Sequence, residues 1–436
     1  MVVVAALWWG GDPVMAETVK DREGAVRGDK AKLEGRPGWH YDDLEAGFRE
    51  ARAEGKPLLV VLRCVPCLAC AGMDAGVLED ASLAPLLSRF VRVRVINANA
   101  LDLRKFQFDY DLSFSAMVFH QDGTVLARYG SWHHQHDPED RETAGFRGAL
   151  EAVLKVHAAY PGNRAVLAGK QGGETPFRTP IEFPSLEGKY KSSLDWGGKV
   201  VASCVHCHMV GEANRAYYRR RGMEIPVEWV FPQPSPATLG AVLAGDGSSV
   251  IKEVVPSTPA ARSGLQAGDR LVEFGGQVIV SEADVHWVLH RAPAAGTVDG
   301  VVERGGNRES VSLELPAAWR ERSDISRRAG TWLLRAMALG GLKLQDLDDE
   351  ARRARGLAPD RMALEVEHAG EYGEHAAAKN AGFRKGDVLV KVGEWSERLT
   401  ESSLIGRLVK AHRPGQSVPA VVRRDGRDIE LSLPQQ

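Results

Sequence analysis

No uninterrupted stretch of roughly 18 apolar residues occurs in the 436-residue chain, so nothing in it reads as a membrane-spanning helix. Neither sign of charge is in excess: 56 Lys and Arg face 58 Asp and Glu, a formal net charge of −2. A balance of that kind argues against nucleic acid as a partner. A Gly-x-Ser-x-Gly elbow is missing and no trypsin-like catalytic domain precedes the C-terminal part, which disfavours a serine protease. Cysteine is scarce, and its five positions fall in two clusters, Cys64, Cys67, Cys70 and then Cys204, Cys207. A secreted fold stapled by disulfides would scatter them. Clustering points instead to local redox or metal chemistry. The remaining composition, 44% hydrophobic and 26% charged, is that of ordinary soluble globular domains, and the length suggests about three of them.

The N-terminal stretch 1–16 is apolar from Met1 to Trp9 and ends in Val14-Met15-Ala16, a small-residue cleavage pattern. It reads as a secretory signal, although the usual basic n-region is lacking. Residues 17–38 are polar and Gly-rich and read as a linker. From 39 to 160 the pattern is that of an α/β domain. Leu44, Phe48 and Ala51 recur at helical spacing, and Gly55 stops that helix. Leu58 to Leu62 is the continuous apolar run of a buried strand, and residues 90–96 alternate like a second one. Asp122-Gly123 divides a hairpin, and residues 143–159 close the domain with a helix. Residues 161–190 are rich in Gly, Pro, Lys and Thr and read as another linker. The segment 191–235 follows, its later part broken by Pro226, Pro232 and Pro234.

Cys64-Val65-Pro66-Cys67 follows the buried strand and opens a predicted helix, a context that resembles the thioredoxin redox motif. Unpaired N–H groups at a helix start favour a thiolate, so Cys64 is the candidate nucleophile and Cys67 its resolving partner. Cys70, one turn further on, is a second resolving thiol or a third metal ligand. The stretch Ser113 to Ala116 lacks the proline that thioredoxins place opposite the motif, so substrate docking there departs from the pattern. His133, His134 and His136 could join the thiols in a copper site, or form a solvated loop.

Residues 204–208 read Cys-Val-His-Cys-His, the spacing for covalent attachment of a single haem c. Cys204 and Cys207 would form the thioethers and His208 would ligate the iron. Met209 neighbours His208 and cannot reach the opposite haem face, so Met223 is the nearest methionine able to supply the second axial ligand. Zinc and a plain disulfide are the other readings of the same five residues.

The remainder contains a repeat. AARSGLQAGD at 260–269 matches AAKNAGFRKGD at 377–387, and Val301-Val302-Glu303-Arg304 matches Val421-Val422-Arg423-Arg424. The pattern resembles bacterial PDZ domains, giving one copy over 236–318 and a second over 319–436 with an N-terminal extension. In such domains a Gly-containing loop presents N–H groups to a peptide's C-terminal carboxylate, and the peptide adds a strand to the sheet. The matching loops contain Leu239, Gly240, Ala241 and Gly340, Gly341, Leu342. The whole chain resembles an uncharacterised bacterial thioredoxin–PDZ (seleno)protein family, through Arg63 to Cys67, Phe106-Gln107-Phe108-Asp109, Arg128-Tyr129-Gly130, Cys204 to Met209 and Gly382 to Asp387. The resemblance implies that the thiol cluster does redox work in some members. The expectation is a multidomain α+β protein: a thioredoxin-like domain, a small haem-motif segment and two β-rich PDZ domains. It would be periplasmic or otherwise extracytoplasmic, coupling thiol and haem redox sites to the binding of protein C-termini and redox partner proteins. A non-catalytic peptide-binding adaptor and a copper-handling protein are the alternatives.

Overall fold

The computed structural model describes residues 20–63, 65, 80–112, 114–130 and 143–436. The signal-like stretch, Cys64, Cys67, Cys70 and His133, His134, His136 lie outside the described residues.

The described part of the expected linker, residues 20–38, is largely a helix, α1 (Arg22–Leu33), which starts where Asp21 accepts the Gly24 N–H at 2.8 Å. Val26 and Leu33 are seven residues apart, two turns, so they share the face that buries. Asp29 on the same helix takes the Arg94 Nε–H at 2.9 Å and ties α1 to the first domain. Polar composition hid a helix whose two apolar residues suffice to dock it.

Next come β1 (His40–Tyr41), α2 (Leu44–Glu54), β2 (Leu58–Arg63), β3 (Val91–Val95), β4 (Phe114–Phe119), β5 (Val125–Tyr129) and α3 (Ala144–Ala158). The sheet order is β1-β3-β2-β4-β5, with β1, β3 and β2 parallel and β4 and β5 antiparallel. The apolar run of β2 is explained by burial on both faces. Leu58, Val60 and Leu62 pack with Ala51 of α2 and with Phe106 and Phe108, whereas Leu59 and Val61 pack with Phe146, Leu150 and Val153 of α3. Gly55 ends α2 in the left-handed conformation at φ 64°.

Residues 161–190, expected to be a linker, are packed. Phe183 and Leu186 bury with Leu103, Val205, Val210 and Ala213. Lys170 and Asp284 are both fully buried and meet at 2.6 Å. Helix α4 (Cys207–Arg220) then leads from the first domain to the repeats.

The first copy contains β6 (Ala241–Leu243), β7 (Ile251–Val254), β8 (Arg270–Phe274), β9 (Gln277–Val278), α5 (Glu282–Arg291), β10 (Gly296–Arg304) and β11 (Asn307–Leu315). The second contains α6 (Thr331–Leu339), β12 (Leu342–Asp346), β13 (Leu364–Ala369), β14 (Val388–Val392), α7 (Glu401–Ala411), β15 (Ser417–Arg424) and β16 (Arg427–Pro434). The repeat holds in atomic detail. Asp269 pairs with Arg304 Nε at 2.7 Å and Asp387 with Arg424 Nε at 2.6 Å. Both arginines also reach a glycine carbonyl, Gly264 and Gly382, at 2.9 and 2.8 Å. The Gly-Asp signature is thus a buried carboxylate clamping the strand tail of its own copy.

The modules interlock. Arg328, between the copies, donates to both carboxylate oxygens of Asp109 at 2.8 and 2.9 Å, deep in the junction with the first domain. Helix α5 docks on β5: Ser281 Oγ donates to the Arg128 carbonyl at 2.5 Å, and the Arg128 guanidinium lies 3.8 Å over the Trp287 ring.

Candidate functional site

Two regions carry candidate chemistry. The first is the groove of the first copy. Strand β6 pairs only with β7 in a two-stranded sheet, so among the described residues its other edge has no strand neighbour. Facing that edge, β6 and α5 line a cavity of about 480 Å³ with Thr238, Val242, Leu243, Glu282, His286, Arg322 and Arg327 on its walls. A volume in this range suits a few residues of an extended chain. Burial, and then the nearby Arg328 charge, push His286 down to about 3, so it is a neutral wall at any ordinary pH.

The expected loop residues take different parts. Leu239 and Ala241 bury in the core with Ile251, Val285 and Leu289 and do not line the cavity. Gly240 makes the turn at φ 94°, its N–H donating to the Ala237 carbonyl at 3.0 Å. An added Cβ would sit 2.0 Å from Thr258 Oγ1, so the turn needs glycine. The groove walls are the neighbours of this loop and a helix some forty positions on. The apolar start of β6 signalled half of the site, while α5 and the two arginines gave no local signal.

The second copy departs from expectation. The N–H groups of Gly340 and Gly341 both donate to the Arg335 carbonyl and close the end of α6, so neither is presented to a carboxylate. Leu342 is fully buried. Helix α6 packs against both β12 and α7, with Leu334, Met337 and Ala338 beside Leu404, Ile405 and Leu408. Glu401 on α7 accepts the Leu344 N–H of β12 at 2.8 Å and pairs with Arg335 of α6 at 2.7 Å, all buried. The strand donor and the groove space are therefore satisfied from within the chain. Gly340, Gly341 and Leu342 are corrected from peptide-binding residues to a helix cap and core.

The second region is Cys204 to His208. Asn99, fully buried, stitches it to the first domain. Its side chain accepts the Val205 N–H at 2.7 Å and donates to the Ser203 carbonyl at 2.8 Å and the Lys191 carbonyl at 2.7 Å. Cys204 Sγ lies 3.4 Å from the Ile96 carbonyl, beyond the end of β3, in a cluster with Val26, Val65, Ile96, Leu194 and Val200. Cys207, the first residue of α4, packs on the first domain's core beside Tyr110. Burial, and then the neighbouring Cys204, push the Cys207 thiol up to about 12. His206 is pulled down to about 4 by burial, then by His208 and Arg22. Burial pulls His208 down as well, but its 3.0 Å contact to Glu212 outweighs that and leaves it raised.

A c-type haem needs both sulfurs and the histidine to address one flat ring. His208 fits, because Glu212 holds Nδ1 in the way a supporting carboxylate holds a metal-ligating histidine. The sulfurs do not: Cys204 and Cys207 each pack into protein, against two separate clusters of the first domain. Met223 is corrected as an axial ligand. It follows the far end of α4, which spans 14 residues, about 20 Å at 1.5 Å per residue, so it cannot share one iron with His208. Among the described residues no three His, Cys, Asp or Glu side chains gather as a metal site.

Comparison with known proteins agrees with the two module types. A thioredoxin-like family model matches residues 39–120 and a PDZ domain model matches residues 237–315. A probable periplasmic serine endoprotease DegP-like of Pseudomonas fluorescens is 27% identical over 179 residues, 41% of this chain and 36% of the relative. Its counterpart in Halomonas elongata is 28% identical over 187 residues, 42% of this chain and 36% of the relative. The chain thus spans just over a third of the length of these relatives. Among solved structures, an HtrA-type protease AlgW with decapeptide is 19% identical over 31% of this chain and 40% of its own, with a TM-score of 0.20, too low for a structural argument. The chain therefore combines a thioredoxin-like domain with a PDZ domain.

Proposed function

We propose that this chain is an extracytoplasmic thiol-redox protein that chooses partners by holding their C-terminal segments in the groove of the first copy. The β6 edge that has no strand neighbour among the described residues, beside a cavity of about 480 Å³, carries this reading. An added strand would take its main-chain hydrogen bonds from β6, and Val242 and Leu243 would contact its side chains. Arg322 and Arg327 on its walls, set against Glu282 and Asp324 in the same lining, favour a carboxylate over an amide end. The second copy is a PDZ domain of the same build that serves as a brace, its groove filled by α6. The thioredoxin-like fold and Cys64-Val65-Pro66-Cys67 support thiol exchange, and the periplasmic relatives support the location.

Two measurements test it on the full chain. Fluorescence anisotropy with peptides ending in an apolar residue should show saturable binding that is lost in Val242→Glu and weakened by a C-terminal amide. Reduction of insulin should occur with the wild type and vanish in Cys64→Ser. Absence of peptide binding and of reductase activity would overturn the proposal.

A further inference from the structure

We propose that the junction between the first domain and the first copy holds a small guanidinium group. The inference goes beyond the peptide and redox reading and does not rest on it. A cavity of about 90 Å³ lies where α4, α5 and the segment 103–111 of the first domain converge. One water-sized centre needs roughly 10–15 Å³, so the cavity suits a head group of a few heavy atoms.

Its buried lining asks for a hydrogen-bond donor. Asn214 of α4 is 2% exposed. Its Nδ2 donates to the Val210 carbonyl one turn earlier at 2.9 Å, while its Oδ1 is buried without a hydrogen-bond partner. A buried acceptor left in that state costs about 1–3 kcal/mol, which an arriving N–H group would recover. Other buried or half-buried polar groups of the lining are already committed. The Gln107 amide serves Leu103 and Gly173, Arg215 donates to the Trp229 and Gly330 carbonyls, and Asp109 and Asp111 face Arg328.

The rest of the lining favours positive charge. Two of its carboxylates, exposed Glu174 and half-buried Glu228, enter no hydrogen bond or salt bridge among the described residues. Tyr110 and Trp229 add two ring faces, parallel within 3° and with centroids 6.4 Å apart. Ring faces attract cations, and a planar guanidinium can stack on them while its fork of N–H groups reaches oxygens at the edge. The protein's own exposed Arg291 lies 5.9 Å from the Trp287 centroid. Burial keeps His290 neutral, so it does not compete for the carboxylates. An anion would meet Glu174 and Glu228, and an apolar molecule would leave Asn214 Oδ1 unpaired. A cation with N–H donors answers both demands.

Calorimetric titration of the full chain with methylguanidinium chloride, at constant ionic strength, tests it. Saturable one-site binding is expected. It should be about ten-fold tighter than that of acetamide, which lacks the charge, and of tetramethylammonium, which lacks the N–H groups. Asn214→Leu should weaken it about ten-fold, the loss of one hydrogen bond to a charged group. Glu174→Gln, an exposed substitution that leaves folding untouched, should weaken it about two-fold. A Gly-Arg-Gly peptide amide in the same assay separates the sources of the group. Binding as tight as that of methylguanidinium supports the arginine of a partner protein, and exclusion of the peptide supports a free small molecule. Absence of saturable heat at millimolar methylguanidinium would overturn the proposal. So would equal binding of acetamide, or wild-type affinity in an Asn214→Leu protein of native circular dichroism. Should Asn214→Leu fail to fold, an affinity unmoved by Glu174→Gln and matched by tetramethylammonium would overturn it equally.

Discussion

Replacing Arg328 with Met should loosen the junction between the first domain and the repeats. The guanidinium donates to both Asp109 oxygens at 2.8 and 2.9 Å, lies 3.4 Å from Asp111, and reaches the Gln233 carbonyl at 3.1 Å. Methionine fills much the same volume but removes the cation that both Asp109 and Asp111 contact directly. Removing one partner of a buried pair costs about 3–5 kcal/mol. If the 436 residues unfold together, at ~2.1 cal/mol/K per residue, the unfolding entropy is about 0.9 kcal/mol/K. The deficit then lowers Tm by about 3–5 °C. Burial raises the Asp109 carboxyl and Arg328 pulls it back, so the variant raises it further, with the Asp111 backbone N–H left as the opposing influence. A carboxyl raised in the folded state binds more protons there than in the unfolded chain, and its penalty grows as pH rises. The deficit should therefore be larger at pH 7 than at pH 5. Adding Asp109→Asn should recover part of it, because an amide needs no counter-charge. Differential scanning calorimetry at both pH values measures this. A Tm within 1 °C of wild type, or a deficit that grows on acidification, would refute the reasoning.

Glu401→Ala should unseat α6 from the second copy, since it leaves Arg335 and the Leu344 N–H without their shared carboxylate, at a cost of about 3–5 kcal/mol read by denaturant titration. Gly240→Ala forces a side chain into the left-handed region and onto Thr258, so stability should drop by more than about 1 kcal/mol and peptide affinity with it. His286 and His290 are both held near 3 by burial, with neighbouring arginines adding to it. As the unfolded chain protonates them below its ordinary value of about 6.5, stability should fall by up to about 1.4 kcal/mol per pH unit for each, down to about pH 3. Denaturation midpoints at pH 7, 6 and 5 check this, and His286→Gln should flatten the slope.

Local chemistry in the sequence located most of the elements. Gly55 as a helix stop, Asp122-Gly123 as a hairpin turn and the Leu58 to Leu62 run as a two-faced strand all stand where composition and periodicity put them. The Gly-Asp repeat marked both copies because a buried aspartate clamping an arginine demands the same residues twice. What composition concealed was docking. Residues 17–38 and 161–190 look like linkers because few of their side chains are apolar, yet Val26, Leu33, Phe183 and Leu186 are each buried by surfaces contributed from elsewhere. The same limit governed the sites. Gly340-Gly341 resembles a carboxylate loop locally, and only the packing of α6 reveals that its donors are already committed. Val65 beside Cys204 is a meeting that no local pattern encodes.

The division of the chain at residue 235, which composition suggests, has a practical cost that helix α4 makes plain. Ala216 near its end, with Ile225, Val230 and Phe231 just after it, belongs to the same hydrophobic cluster as α6 and α7, and Phe231 fills the notch left by Gly406. Arg219 on the same helix holds the His412 and Gln436 carbonyls at 2.6 and 2.9 Å. A fragment excised from 236 onward would lose this wedge and bare an oily seam. One that begins ahead of Cys207 would keep it, so any transplant of the repeats into another protein should carry α4 along.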